Sequence, residues 1–423
     1  MRFTMSKIAL FVLCMLFLVG CAQQAEQNIR ESQIEEFLPS EPESIAVPEN
    51  ESSPSPQQDV TETTVPAENN KTEEKVELTF EQLVWKKRID AAMASSYCPP
   101  LEKQTYPEDY YQGPLIDTHL HLPAIPDSMP EEGEEENADY EENKDGAFGG
   151  PAAVLGVNVK MSEIACSLQW DGTTKNFAFF PVYPEIYEQA LEIANKTMAQ
   201  YPDLFTPFIM PPAQEVPTVE APVLRKMLAV YPGLFQGYGE VGSSPTESEN
   251  PPVDDPLYLD NYKVAREHKL LVYYHPGWDQ VDNWERVLQD HPDINFIVHA
   301  EELEEDIDYL MSKYANIYFT ANPQFHQHFR LYVGQTKEAF FNAAERDFND
   351  LIEKDLRRWK TLIERHPDRF MWGTDRGDAV WNYDVDVGLF LVKYGRAFIG
   401  RLDPSVQEKV GYKNAERLIN GGE

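Results

Sequence analysis

The sequence predicts an α/β protein: a (β/α)8 barrel of the TIM type with an N-terminal helical extension and a disordered tether. Three observations carry that expectation. Eight short apolar runs occur at 115–117, 153–157, 205–210, 235–241, 270–274, 294–298, 317–320 and 370–373. Amphipathic stretches such as 183–200, 257–268 and 284–289 lie between several of them, and apolar strands alternating with helices indicate a parallel sheet. Eight such units suit a closed barrel of about 250 residues. No glycine-rich phosphate loop follows the first run, so an open nucleotide-binding sheet has little support.

The chain begins with Arg2 and Lys7 ahead of an apolar stretch at 8–19 that is short for a mature membrane span. The stretch ends Leu18-Val19-Gly20-Cys21, which resembles a lipobox. That resemblance implies cleavage before Cys21, lipidation of its sulfur, and a signal segment at 1–21; an ordinary signal peptide is the alternative. Ala22 follows, so nothing marks the protein for inner-membrane retention. The resemblance therefore places it in the cell envelope, lipid-anchored to a membrane, and on the outer membrane of a Gram-negative source.

Residues 22–75 are rich in Glu, Gln, Ser, Thr, Pro and Asn. Their few large apolar side chains cannot offset chain entropy by burial, so this segment is expected to be a disordered acidic tether. The folded part is expected at 76–423, with its core at 115–419. A helix over about 76–97 follows from the spacing of Leu78, Phe80, Leu83, Val84, Ile89 and Met93. Cys14 leaves with the signal and Cys21 takes lipid. Cys98 and Cys166 then either pair after export or stay as two thiols.

Two insertions interrupt the pattern. The first, 126–145, is dominated by Glu and Asp and reads as a solvated loop; cation binding or repulsion of anions is the sharper alternative. The second, 324–360, contains a long helical pattern through Phe340, Phe341, Ala344, Phe348, Leu351 and Leu356.

The chain carries 36 basic and 72 acidic side chains, a formal net charge of -36. That balance argues against nucleic acid, whose phosphates need a basic surface. The expected partners are a small-molecule substrate and, through the lipid, a membrane. A homo-oligomer stays open.

A barrel keeps its chemistry at the C-terminal ends of its strands. The first run ends in His119 and His121, one residue apart, so both side chains share a face. The fourth ends Gly239-Glu240-Val241-Gly242, the fifth in His275, the sixth in His299 and the eighth in Asp375. Each alone is weak: a single histidine after a strand is usually structural, and an aspartate can cap a helix. Six metal-type ligands, all at predicted strand ends, suit a divalent ion, zinc first, with manganese, iron or nickel as alternatives.

Together with Trp372-Gly373-Thr374-Asp375 and the closing Asn414-Ala415-Glu416-Arg417-Leu418-Ile419, these motifs resemble the amidohydrolase superfamily, in the branch of amidohydrolase-related metal-dependent hydrolases. The same branch holds decarboxylating lyases. The resemblance covers 115–419. It implies that His119, His121 and His275 ligate metal. His299 is then a ligand or an acid/base group, and Asp375 touches the metal-bound water and acts as the base. Glu240 departs from the carboxylated lysine of many two-metal members and looks like the bridging glutamate of TatD-type nucleases. One or two ions is therefore open, with two favoured.

The function so implied is hydrolysis of a small-molecule ester, lactone or amide by a metal-activated water. A decarboxylase of the same fold and a non-catalytic binding lipoprotein are the alternatives. Arg376 is expected to hold a substrate carboxylate or phosphate, with a salt bridge to the barrel wall as the alternative. Trp278 is expected to pack in the core. His326 and His328 read as a surface-loop pair, and His268, His291 and His366 as structural.

Overall fold

The computed structural model describes residues 78–100, 102, 104–127, 153–213, 216–242, 251–299, 301–323, 336–377 and 383–421. Cys21, the expected signal and tether, the acidic insertion from 128 onward, and His326 and His328 lie outside them. The chain divides into Met1–Glu74 and Lys75–Glu423, and the architecture is that of the second unit.

Eight strands form one parallel sheet in sequence order: β1 (Ile116–His121), β2 (Lys175–Pro181), β3 (Phe205–Met210), β4 (Gly237–Gly242), β5 (Leu271–His275), β6 (Phe296–Val298), β7 (Ile317–Ala321) and β8 (Phe370–Trp372). A parallel bridge between Leu120 and Arg376 brings the last strand back to the first, and the His121 N–H donates to the Arg376 carbonyl at 2.8 Å. The fold is the expected (β/α)8 barrel.

The helices are α1 (Phe80–Ala92), α2 (Met161–Asp171), α3 (Tyr187–Gln200), α4 (Ala221–Val230), α5 (Pro256–His268), α6 (Val281–Asp290), α7 (Glu304–Lys313), α8 (Lys337–Arg365), α9 (Val385–Gly400), α10 (Pro404–Glu408) and α11 (Asn414–Ile419). Their starts are written in the sequence. Thr79 and Gln82 form a capping box on α1. Asp255 accepts from the Leu257 N–H, with Pro256 in the first turn of α5. Thr336 caps α8, and Asp384 caps α9.

Strand alternation sorts the apolar residues into two cores. On β5, Val272 and Tyr274 face the helices, whereas Leu271 and Tyr273 fill the barrel interior. Ile116, Phe177, Phe179, Phe208, Ile297, Tyr318 and Met371 join that interior, and Ala415 and Leu418 of α11 pack against it. The closing helix is tied to β8 by Asn414, whose amide donates to the Phe370 and Pro367 carbonyls at 2.7 and 2.9 Å.

Two expectations change, and the open choice at the cysteines is resolved. The second strand is not 153–157. That stretch is a turn with one bridge, Leu155 to Val159, and Gly156 lies against the backbone of Ala92 and Arg88 in α1. The stretch runs beside α1 at Gly156 and leaves Val157 exposed, so it does not continue the sheet. The true β2 is buried from Asn176 to Phe180, so it lacks the alternation that flags a half-exposed strand. Trp278 is not core: it is 56% exposed. Cys98 and Cys166 form a disulfide, with Cα atoms 5.7 Å apart, between the segment after α1 and α2.

Candidate metal centre

In β1 the register against β2 shifts between Asp117 and Leu120. Ile116 belongs to the inner core and Leu120 to the outer one, although residues four apart share a face on a regular strand. The irregularity reverses the phase and turns both His119 and His121 inward, as bulges beside sites do. The same device recurs in β4, where the register against β5 shifts between Tyr238 and Val241 and Glu240 is turned inward. Gly239 permits this. Its φ is +123°, and a Cβ there would lie 2.1 Å from the Tyr273 carbonyl oxygen.

His275 and His299 need no such device, because they continue the inward phase of Leu271 and Tyr273 and of Ile297. Asp375 follows β8 at φ +53°, a left-handed conformation that aspartate tolerates better than most residues.

These residues assemble two clusters that share one side chain. In the first, His119 Nε2 and His121 Nε2 are 3.1 Å apart. Glu240 Oε2 is 3.2 and 3.1 Å from them, and Asp375 Oδ1 is 3.0 and 3.3 Å from them. In the second, His275 Nδ1 is 2.9 Å from His299 Nε2 and 3.1 Å from Glu240 Oε1, and His299 Nε2 also contacts Glu240 Oε1. Metal–ligand bonds of about 2.0–2.2 Å put neighbouring ligand atoms roughly 3–3.5 Å apart, so the donor set fits divalent ions. Three groupings of these residues bring one ligand atom each within 4.8 Å of the others.

The electrostatics follow from two buried carboxylates. Burial opposes charge on Glu240, but His299 and His119 hold it well below the usual carboxylate range. Asp375 is held low against burial by His119 and His121. In return, and again against burial, Asp375 and Glu240 carry His119 up to about 9 and His121 up to about 10. Burial, with His119 and His275 beside it, outweighs Glu240 at His299 and pushes it down to about 4. The cluster has a deficit of positive charge that protons or divalent cations can fill.

Arg376 is not in the site. Its guanidinium is buried between α2 and α9, donating to Asp171 Oδ2 at 2.8 Å, Ser167 Oγ at 2.7 Å and the Asp384 carbonyl at 2.8 Å. It is 1% exposed, so it forms the wall salt bridge rather than a substrate contact. His291 accepts from Arg266 at 3.1 Å, His366 pairs with Asp308 at 2.7 Å, and His268 is exposed in the last turn of α5.

Sequence reasoning passed over the residues behind the ligands. Asn322, one residue past β7, has its amide nitrogen 3.5 Å from His119 Nδ1. Asp117 and Thr374 hold the seam between β1 and β8. The signal for the last two was their position, beside the first and last ligands.

A TIM barrel that converges histidine, glutamate and aspartate ligand atoms at the ends of five strands defines a metal-dependent barrel enzyme. The amidohydrolase family model matches residues 116–420, and the chain belongs to that family. No curated protein matches the chain. Among solved structures it is similar to an amidohydrolase from Burkholderia multivorans with bound zinc (12% identity, 73% of this chain and 99% of that one, TM-score 0.42). It is also similar to a 4-oxalomesaconate hydratase from Rhodopseudomonas palustris (14%, 73% and 96%, TM-score 0.43). A third is a 2,6-dihydroxybenzoate decarboxylase from Rhizobium (16%, 73% and 98%, TM-score 0.40). At these identities and scores nothing about substrate carries across.

Proposed function

We propose that the chain is a two-ion hydrolase that directs a metal-activated water at a small-molecule ester, lactone or amide, and that it works tethered to a membrane. The observation that carries this reading is the position of Glu240. One of its oxygens faces His119 and His121, and the other faces His275 and His299. One carboxylate serving two ligand clusters supports two ions side by side. Zinc suits the nitrogen and oxygen donors best.

When bound, such ions would supply Lewis acidity and lower the pKa of a water toward the neutral range. The chain's own residues do the rest. Asp375, kept ionised by the two imidazoles it touches, takes the proton of the attacking water and orients it. Burial holds the His299 imidazole toward its neutral form, so the Nε2 that faces Glu240 and His275 offers a lone pair with which it would ligate the second ion. Phe179 and Tyr273 pack edge-on or tilted against His119 and keep water from reaching the ligands from below.

Two tests follow. Metal analysis of the purified protein should give two divalent ions per chain; the absence of bound or bindable metal sinks the reading. Turnover in ¹⁸O-water should place label in the product. Carbon dioxide release without label would instead assign decarboxylation. A non-catalytic binding role is opposed by the complete ligand set. The envelope location is supported by the lipobox at Cys21 and by the Cys98–Cys166 disulfide, which suits an oxidising compartment. Cys21→Ser should release the protein from membranes.

A further inference from the structure

We propose that Glu302 is the positioning residue that fixes the way His275 presents itself to the second ion, an inference that rests on the two-ion reading of the site. His275 meets Glu240 and His299 through Nδ1. A neutral imidazole that offers one nitrogen as a lone pair carries its proton on the other. That other atom, Nε2, is buried and has no hydrogen-bond partner among the described residues.

The Glu302 side chain is 2% exposed, and its Oε2 lies 4.0 Å from His275 Nε2. Oε2 is likewise buried without a hydrogen-bond partner among the described residues. Two buried polar atoms, each lacking a partner and facing one another, are a donor and an acceptor waiting to meet. A shift of about 1 Å by either side chain brings them to hydrogen-bond distance. An Nε2–H bond to Glu302 holds the tautomer that leaves Nδ1 free, and metal-ligating histidines commonly have such a carboxyl behind them.

Chain geometry explains how Glu302 gets there. It lies in the short 3-10 turn Glu301–Leu303 that links β6 to α7. The strand that supplies His299 thus also supplies the support for the ligand of the neighbouring strand.

The test is a zinc titration of the metal-stripped full chain against a chromophoric chelator, with wild type, Glu302→Ala, Glu302→Gln and His275→Ala. Glu302→Ala should weaken the binding step that His275→Ala abolishes by about 10–100-fold and leave the other step within twofold. Glu302→Gln keeps an acceptor oxygen and should lose less. In ¹⁵N-histidine spectra of the metal-free chain, His275 should be the Nε2–H tautomer in wild type and a mixture in Glu302→Ala.

An unchanged step overturns the assignment. So does an equal weakening of every step together with a lower melting temperature, which would mark a purely structural carboxyl. A single step in the wild type rejects the two-ion reading by itself; the same tenfold criterion on that step still decides the role of Glu302.

Discussion

Asp117 takes both the backbone N–H and the hydroxyl of Thr374, at 2.9 and 2.5 Å, and so ties the first strand of the barrel to the segment after the last. Its Oδ1 also accepts from the His119 N–H at 3.0 Å. One buried carboxyl therefore spaces His119, two residues ahead of it on one side of the seam, from Asp375, next to Thr374 on the other. Replacing it with alanine strands two buried backbone donors, the His119 and Thr374 N–H groups, and leaves the Thr374 hydroxyl only its longer contact to the His119 carbonyl. Asp117→Ala should lower unfolding stability by about 2–4 kcal/mol in urea titrations and reduce the metal content of the purified protein. A variant with wild-type metal content would separate the seam from the site.

The strands and ligands were legible where the chain announces them locally. Leu271-Val272-Tyr273-Tyr274-His275 is an unbroken apolar run that ends on a ligand, and the structure puts Leu271 and Tyr273 in the inward phase that leads to it. His119 and His121 were legible from spacing alone. The bulges that aim them were not, because a register shift depends on the neighbouring strand. Lys175–Pro181 was hidden because Lys175 and Asn176 open it and Pro181 closes it, which leaves only four apolar residues in an uninterrupted run. Arg376 was misread because its partner Asp171 is 205 residues away, and nothing adjacent to Arg376 reveals it. Glu302 and Asn322 act on the backs of imidazoles, where no spacing rule reaches.

Glu240 is the link between the two clusters. Glu240→Gln keeps the shape but removes the charge that both clusters share. Elemental analysis should fall from two ions per chain to one or fewer. Two ions retained at full occupancy would show that Glu240 does not bridge.

Asp375 separates binding from chemistry. Asp375→Asn keeps an oxygen near His119 and His121 but cannot take a proton. Turnover should fall by about 10²–10⁴-fold, the usual contribution of a general base, while at least one ion stays bound. Unchanged turnover of a real substrate would remove Asp375 from the role of base.

Arg376 and Asp171 are a buried ion pair, 1% and 2% exposed. Burial raises Asp171 to about 6 even though Arg376 opposes the rise. Arg376→Met leaves that carboxylate unpaired and should cost about 3–5 kcal/mol. The double variant Arg376→Met with Asp171→Leu should recover part of the loss, because two apolar side chains replace two buried charges while the Thr173 N–H loses its acceptor on Asp171. Thermal melts of the single and double variants read the difference, and no recovery would mean that the Thr173 N–H stranded by Asp171→Leu costs as much as the unpaired carboxylate.

Asp355 supplies a pH dependence that lies apart from the metal centre. It is buried on α8 and accepts from the Tyr394 hydroxyl of α9 at 2.5 Å. Burial raises it to about 8, against the opposing bond from Tyr394 and the charges of Arg358 and Lys354. In the unfolded chain the same carboxyl titrates near about 3.9. Between those two values the folded state holds a proton that the unfolded state has released. This group's contribution is therefore fully present below about pH 4 and declines by about 1.4 kcal/mol per pH unit until about pH 8. Asp355→Asn keeps an acceptor for Tyr394 and cannot ionise. It should match wild type near pH 4 and be more stable by about 2 kcal/mol or more at pH 8. Denaturation midpoints measured at both pH values decide it: parallel curves for the two proteins would show that Asp355 is ionised in the folded barrel.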